Sequence, residues 1–267
     1  GSERFPDEDE YASFIKKHGG SHNAFTMATN TVFFFDLAVP SKFEESLDMF
    51  SQFFIAPLLR RDTIRRELKA VDSEFSNARS NDEWKFLQII RSLGIEPFSN
   101  FGCGNSKTIG NHFNQYESES DEQYTQIQSE LRSFFEKHYS SDRMNLVLSS
   151  GHHSLDELEN MAKEYFSPIL RRETITKPVP FPFDRDNLPR RLYIAPVLEL
   201  RDLTFIFPVQ WTSRESYKVQ PIQFCIHLLT YSSKGSLRHT LTELGWITTM
   251  SASSNLHSLS HENFSCL

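Results

Sequence analysis

With 267 residues, the chain is long enough for one large domain or for two domains of about 150 residues each. Its 38% apolar and 24% charged residues are typical of a globular protein, and its 24 phenylalanines predict aromatic-rich cores. The net charge of −7 argues against nucleic acid as a partner, and no apolar run approaches the ~18 residues of a membrane-spanning helix, so no membrane partner is expected either.

The cysteines and the first residues indicate where the protein works and how much of it is present. Cys103, Cys225 and Cys266 are far apart and odd in number, which fits neither a disulfide framework nor a C-x-x-C metal pattern. A reducing compartment is the simplest interpretation, and we expect a cytoplasmic location. Residues 1–6 form neither a signal peptide nor an initiation site, so we expect either that Gly1-Ser2 is a remnant of cloning or that the chain is a fragment of a longer polypeptide.

The first 55 residues predict a helix, a loop, a strand and a second helix. Residues 6–10 form an acidic first helical turn with Pro6 near its start, and His18-Gly19-Gly20 ends that helix. A loop over residues 21–26 leads to an aromatic, β-branched run at 32–37, which is typical of a strand. Ser41 and Glu44 have the spacing of a capping box that opens the second helix.

The next segment predicts an amphipathic helix that carries two carboxylates on one side and extends to about residue 93. Four apolar residues recur at the spacing of a single helical stripe: Ile64, Leu68, Val71 and Phe75. Glu67 and Glu74 are seven residues apart, about two helical turns, so both project from the same side. Spacing alone leaves two interpretations open: two solvated glutamates on a charged helix, or a pair of carboxylates that faces a cation.

Beyond this helix, helices and strands follow one another without a strict alternation. The pattern predicts helices at 124–139, at 154–166 behind a capping box of Ser154 and Glu157, at 217–231 and at 236–244. It predicts strands at 144–148, 192–195, 203–207, 246–250 and 264–267. We therefore expect an α+β fold, in which a layered antiparallel sheet has helices packed on one face.

Three motifs give the chain a family resemblance, and they occur along the chain in the order in which the family has them. Residues 66–74 read R-E-x-x-A-V-D-S-E, residues 19–26 read G-G-S-x-N-A-x-T, and residues 97–105 read P-F-x-x-F-x-x-G-N. This set resembles the insulysin–nardilysin branch of the pitrilysin-type zinc metallopeptidases, the inverzincins, whose H-x-x-E-H motif supplies two histidine ligands and the catalytic glutamate.

The resemblance implies a role for several residues of this chain. Glu74 would be the third zinc ligand, and Glu67 a supporting carboxylate. Asn23, Ala24 and Phe25 would form the edge strand with which a peptide substrate pairs its backbone. Trp84 would line a substrate side-chain pocket; ordinary core packing is the alternative. His22, which invites a metal interpretation, is not a ligand position in the family.

Two departures from the family pattern limit what the resemblance implies. None of the ten histidines belongs to an H-x-x-E-H or H-E-x-x-H motif, and a single carboxylate does not hold zinc tightly. The resemblance places the missing motif upstream of residue 1, so this chain alone is expected to be inactive. Residues 230–237 read T-Y-S-S-K-G-S-L where relatives carry H-E-G-x-G-S-L, which indicates divergence in a second domain.

The domain organisation and function follow as predictions. Residues 1–176 would be a peptidase-like amino-terminal domain without its first strand and motif helix, residues 177–188 a proline-rich linker, and residues 189–267 a truncated second domain of the same fold. The chain would be a fragment of an insulysin-like zinc metalloendopeptidase with peptide substrates. Its other partner would be the remainder of the polypeptide or a carboxyl-terminal half. The alternative is a non-catalytic peptide-binding or scaffold member of the family.

Overall fold

The computed structural model describes residues 1–27, 30–100, 102–109, 120–172, 180–184, 186, 188–211, 216–259 and 262–266. Within these ranges the α-helices are α1 Glu10–Lys17, α2 Phe43–Ile55, α3 Arg61–Arg79, α4 Asp82–Ser92, α5 Asp121–His138, α6 Leu155–Phe166, α7 Ser216–Val219, α8 Pro221–Thr230 and α9 Leu237–Glu243. The strands are β1 Ser21–Thr26, β2 Thr31–Asp36, β3 Pro208–Trp211, β4 Asn255–Leu259 and β5 Glu262–Cys266. Short 3-10 turns lie at Pro40–Lys42 and Ser141–Arg143.

The chain divides into two compact units, which do not follow the sequence as two halves. The first unit comprises residues 1–78 and 103–176, and the second comprises residues 79–102 and 177–267. The domain limits drawn from the sequence stay a prediction.

An antiparallel hairpin follows α1 in the first unit. Strands β1 and β2 pair from Ser21 opposite Asp36 to Thr26 opposite Thr31. The strand predicted at 32–37 is confirmed, whereas the loop predicted at 21–26 is wrong. All six residues of β1 are exposed, and its sequence lacks the apolar alternation that marks a half-buried strand. Its extended conformation comes from the pairing with β2.

An aromatic core holds α1, the hairpin and α2 together. Tyr11, Ile15 and Met49 are buried, and Phe35 and Phe50 are among the rings packed around them. Glycine ends α1 as predicted, with Gly19 at a φ of +70°. The predicted start is wrong: α1 begins after the N-cap Asp9, and Pro6 lies outside it.

The start of α2 also differs from the prediction. A 3-10 turn over Pro40–Lys42 precedes the helix, Lys42 occupies the N-cap position, and no side chain caps it. The capping box predicted from Ser41 and Glu44 is therefore wrong. Pro40 begins the turn, which moves the start of the α-helix beyond Ser41.

Helix α3 ends at Arg79, so the prediction of one helix to about residue 93 is wrong. Asn81 adopts an extended backbone and caps a new helix, α4, by accepting a hydrogen bond from the Trp84 amide at 3.1 Å. Further along, Ser120 with Gln123 and Ser154 with Glu157 form complete capping boxes for α5 and α6. The second of these boxes is confirmed as predicted, whereas residues 144–148 form no strand.

In the second unit, the chain after α4 packs against residues 180–184. Phe98 and Phe183 are buried with their ring centroids 5.2 Å apart, and the Ile95 amide donates to the Pro182 carbonyl at 2.8 Å. The Asp82 carboxylate at the start of α4 accepts hydrogen bonds from the amides of Val197 and Leu198. Residues 181–183 of the predicted linker are thus packed within the second unit.

The remaining elements of the second unit bear out the helices better than the strands. Helix α9 has Ser236 as its N-cap and Gly245 just past its end, as predicted, and α7 with α8 occupies most of the predicted 217–231 helix. Strand β5 contains residues 264–266 of the predicted last strand, and residue 267 lies outside the described residues. Residues 192–195, 203–207 and 246–250 form no strand, so these three predictions are wrong.

The chain is therefore helix-rich with small antiparallel sheets, and the α+β class is confirmed at that level. The β1–β2 hairpin is one sheet, and β3, β5 and β4, in that order, form the other. A layered sheet with helices on one face stays a prediction. No helix among the described residues is long and apolar enough to cross a membrane.

Candidate functional site

Helix α3 presents Glu67 and Glu74 on its exposed side. Both side chains are exposed, and among the described residues neither carboxylate has a hydrogen-bond or ion-pair partner. Arg66, the neighbour of Glu67, differs in this respect because it pairs with Glu8 and with Asp62. The two glutamates predicted as site residues are thus available to a ligand.

The apolar stripe of α3 packs on one of the cores of the first unit. Ile64 and Leu68 are buried with Tyr124 and Ile127 of α5, and Ile109 packs against this cluster. At about 100° per residue, Glu67 and Glu74 lie on one flank of the stripe, about 20° apart around the helix axis. The core contact therefore turns both carboxylates in the same direction.

The opposite flank of the stripe carries two polar anchors. The Arg65 guanidinium lies 4.4 Å from the centroid of the Tyr124 ring and pairs with Asp121 at 3.0 Å. One Oδ atom of Asp72, which is half-buried, accepts a hydrogen bond from the Ser106 amide at 2.7 Å. These contacts tie α3 to α5 and to the turn at residues 105–109.

The outer edge of β1 carries backbone groups that β2 does not use. The Met27 amide donates to the Asn30 carbonyl at 2.8 Å, which makes these residues a hydrogen-bonded pair beyond the last strand positions. Because such pairs alternate with non-hydrogen-bonded ones along an antiparallel ladder, the Ala24 amide and carbonyl point away from β2. The Ala24 amide instead contacts the Asn23 side-chain oxygen at 2.8 Å.

The two faces of the hairpin differ in their surroundings. His22 lies on the inner face, where its ring packs edge-on against Tyr11 with centroids 5.1 Å apart. Phe25 and Phe34 lie on the outer face with centroids 6.3 Å apart, and Phe25 is 50% exposed. The predicted substrate residues Asn23, Ala24 and Phe25 are all exposed.

Trp84 lies in the second unit, on α4, whereas the two glutamates and β1 lie in the first. Its side chain is 47% exposed, so it is not core within its own unit, and its amide donates to Asn81. A role in a substrate pocket stays a prediction.

The described residues contain no complete set of metal ligands. Among them, no group of three histidine, cysteine, aspartate or glutamate side chains could hold a metal ion. The Glu74 side chain is exposed, and within the part of the chain that the structure describes its oxygens have no partner, so they are accessible to a ligand. Zinc is held by about three protein ligands, so the role of Glu74 as a zinc ligand stays a prediction.

The sequence interpretation missed Arg65 and Asp72. They are seven residues apart, the same spacing as Glu67 and Glu74, and they border the other side of the apolar stripe. The spacing of these two residues is visible in the sequence. Their partners are not, because Asp121 lies 56 residues from Arg65 and Ser106 lies 34 residues from Asp72.

Two protein-family models match the chain, one in its first third and one in its second half. Residues 1–93 match the model of the insulinase family of peptidases, peptidase family M16. Residues 127–265, about half of the chain, match the model described as the peptidase M16 inactive domain.

Several curated proteins are similar over nearly the whole chain. Insulin-degrading enzyme-like 1, peroxisomal, of Arabidopsis thaliana is 35% identical over 98% of the chain and 26% of its own length. The candidate zinc protease mug138 of Schizosaccharomyces pombe is 34% identical over 94% of the chain and 25% of its own length. Human insulin-degrading enzyme is 33% identical over 94% of the chain and 24% of its own length. The chain thus spans about a quarter of the length of these relatives.

Solved structures support the fold. The crystal structure of pitrilysin superimposes on the chain with a TM-score of 0.71 at 22% identity. The superposition covers 100% of this chain and 27% of the pitrilysin chain. A protease from Helicobacter pylori gives the same TM-score at 14% identity and is covered over 60% of its chain. With two family models matched in order and relatives similar along almost its entire length, the chain belongs to the peptidase M16 family, the insulinase family.

Proposed function

We propose that this chain is part of an insulysin-like zinc metalloendopeptidase. Its exposed Glu74, which has no partner in the described ranges, would supply one zinc ligand, and Glu67 would support the site from seven residues earlier. The observation that carries the proposal is this pair of exposed carboxylates on one flank of α3, which have no partner among the described residues and lie within the segment that matches the insulinase model. Family membership supports peptides as the substrate class.

The chain would contribute two functions to the complete polypeptide. Helix α3 would place the Glu74 carboxylate at the metal, where zinc, when bound, supplies Lewis-acid activation of water. Strand β1 would bind an extended peptide through the outward amide and carbonyl of Ala24, which is β-augmentation. A peptide that pairs here would displace the Asn23 side chain from the Ala24 amide.

The test of the metal role uses the complete polypeptide and an internally quenched extended peptide. We expect chelator-sensitive cleavage that zinc restores, and we expect Glu74→Gln to abolish both cleavage and zinc retention. Glu136→Gln, an exposed glutamate of α5 outside the proposed site, is the matched control and should leave both unchanged. Cleavage that survives complete removal of metal would contradict the proposal.

The test of the edge uses peptides and leaves the protein unchanged. A β-paired ligand alternates between amides that bond to the strand and amides that point to solvent. N-methylation at every second position of a bound peptide should therefore weaken its binding strongly, and N-methylation at the intervening positions should have little effect. Equal loss at all positions would exclude strand pairing at β1.

A non-catalytic peptide-binding or scaffold protein is the second candidate. The observation that favours it is the 230–237 segment, which lacks the H-E-G-x-G-S-L pattern of relatives. This candidate predicts alternate-position sensitivity in the peptide-binding test together with no metal-dependent cleavage, so the two experiments separate the two functions.

A further inference from the structure

The charged residues of α3 form two pairs with the same spacing on opposite flanks of its apolar stripe. Arg65 and Asp72 are seven residues apart and make tertiary contacts, whereas Glu67 and Glu74 are seven apart and make none among the described residues. Asp72 and Glu74 are two residues apart, so at about 100° per residue they point to nearly opposite sides of the helix. One flank thus makes tertiary contacts, and the other carries the two proposed site residues.

We propose that Arg65 and Asp72 are positioning residues that set the rotation of α3 about its axis and so fix the direction in which Glu67 and Glu74 point. This inference rests on the proposed function, because the direction of the carboxylates matters only if they serve a site. Apolar contacts such as those of Ile64 and Leu68 decide which side of α3 faces the core, but they are non-directional and set the rotation of the helix only approximately. A hydrogen bond and a stacked guanidinium have preferred geometries.

The turn that receives Asp72 is itself rigidly built. The Asn105 side-chain oxygen accepts hydrogen bonds from the amides of Lys107 at 2.9 Å and Thr108 at 3.0 Å, and the Asn105 amide donates to the Thr108 hydroxyl at 2.8 Å. The Ser106 amide is left pointing out of the turn and donates to Asp72. Ile109, which follows, packs on the core that contains Leu68. The turn therefore holds α3 at a polar point and at an apolar point.

The second anchor acts about two turns earlier on the same flank. The Arg65 guanidinium packs over the ring of Tyr124, which is only 2% exposed, and pairs with Asp121 in the first turn of α5. Because Tyr124 is fixed in the core, the contacts of Arg65 fix the rotation of α3 relative to α5. Two anchors on one flank restrict rotation of α3 about its axis more than a single anchor does.

The first experiment examines the anchor in this chain by hydrogen exchange. Asp72→Ala should speed exchange of the Ser106 amide about tenfold or more, since a lost bond to a carboxylate is worth at least that factor. Asp72→Asn keeps an accepting oxygen and should keep most of the protection. Lys69→Ala, an exposed change on the same helix, should leave it unchanged. Unchanged Ser106 exchange in Asp72→Ala would overturn the inference.

The second experiment measures zinc affinity and the absorption spectrum of the cobalt-substituted complete polypeptide. Asp72→Ala and Arg65→Ala should weaken zinc binding about 10- to 100-fold, the range for residues that orient a ligand, and should shift the cobalt spectrum. Asp72→Asn should restore most of both, which a general loss of stability would not explain. Should Asp72→Ala not fold, Ser106→Pro removes the same hydrogen bond from the other side.

The outcomes separate this inference from the proposed function. If Glu74→Gln abolishes zinc binding and Asp72→Ala changes neither affinity nor spectrum, the positioning role is overturned and the proposed function stands. If Glu74→Gln leaves zinc binding intact, Glu74 is not a ligand, and both the proposed function and the positioning role fail.

Discussion

The Asn81 side-chain oxygen accepts a hydrogen bond from the Trp84 amide at 3.1 Å, and this contact marks the point where one helix ends and the next begins. The cap satisfies an amide of α4 that has no partner within the helix. It also gives exposed Trp84 its place in the first turn of α4, so the substrate-pocket hypothesis for Trp84 depends on it.

Removal of this cap should destabilise α4. We expect Asn81→Ala to lower the free energy of unfolding by about 1 kcal/mol, the usual value of an N-cap. The matched control is Ser41→Ala, because Ser41 has the sequence signature of a cap but makes no capping hydrogen bond. Urea unfolding, combined with hydrogen exchange in α4, measures the difference, and equal effects of the two changes would contradict the assignment.

Acid should release residues 197–198 from α4. The backbone amides of Val197 and Leu198 lower the pKa of the Asp82 carboxyl below its ordinary value of 3.8. A lowered pKa means that the anchor is complete above pH 3.8 and is lost as the pH falls through the lowered value. The amide shifts of Val197 and Leu198 should titrate together below pH 3.8 and should show no such step in Asp82→Asn.

Deletion of two tyrosine hydroxyls should affect stability differently. The Tyr11 hydroxyl is buried with no hydrogen-bond partner among the described residues, and burial raises its pKa, whereas the Tyr165 hydroxyl donates to Glu44 at 3.0 Å. Tyr11→Phe should be neutral or stabilising by about 1 kcal/mol, since an unsatisfied buried hydroxyl costs free energy. Tyr165→Phe should not stabilise. Denaturant midpoints decide, and destabilisation by Tyr11→Phe would show that its hydroxyl has a partner.

The core under α3 should be sensitive to a cavity at Leu68. This side chain is 8% exposed among Ile64, Tyr124 and Ile127, so Leu68→Ala should cost about 2–5 kcal/mol. The adjacent exposed Lys69→Ala should change stability by less than about 0.5 kcal/mol. A small effect at Leu68 would mean that α3 does not pack on α5 through its apolar stripe.

Local signals in the sequence predicted local structure well. Ser154 with Glu157 and Ser236 with Gly245 mark helix ends through contacts within a few residues, and both helices lie where those residues place them. Ser41 shows the limit, since Pro40 starts a 3-10 turn that overrides the capping signature. Asn81 shows the reverse, because it caps a new helix where we expected one helix to continue to about residue 93.

Strands were harder to predict because a strand depends on a partner that sequence does not reveal. Residues 203–207 have the aromatic, β-branched composition of a strand but pair with nothing among the described residues, whereas polar β1 is a strand because β2 lies beside it. The candidate site divides in the same way. The heptad spacing of Glu67 and Glu74 predicted their common flank, but the anchors of the opposite flank depend on Ser106 and Asp121.

The outer edge of β1 has a consequence for how the protein behaves at high concentration. Among the described residues only β2 pairs with β1, and an edge strand that is left open can pair with another extended backbone; β1 has neither proline nor lysine to discourage a second copy of the chain. Self-association and peptide capture would therefore compete for one surface, and the apparent affinity for a peptide would fall as the protein concentration rises. Dilution, rather than a tighter ligand, is then the simplest way to free the edge.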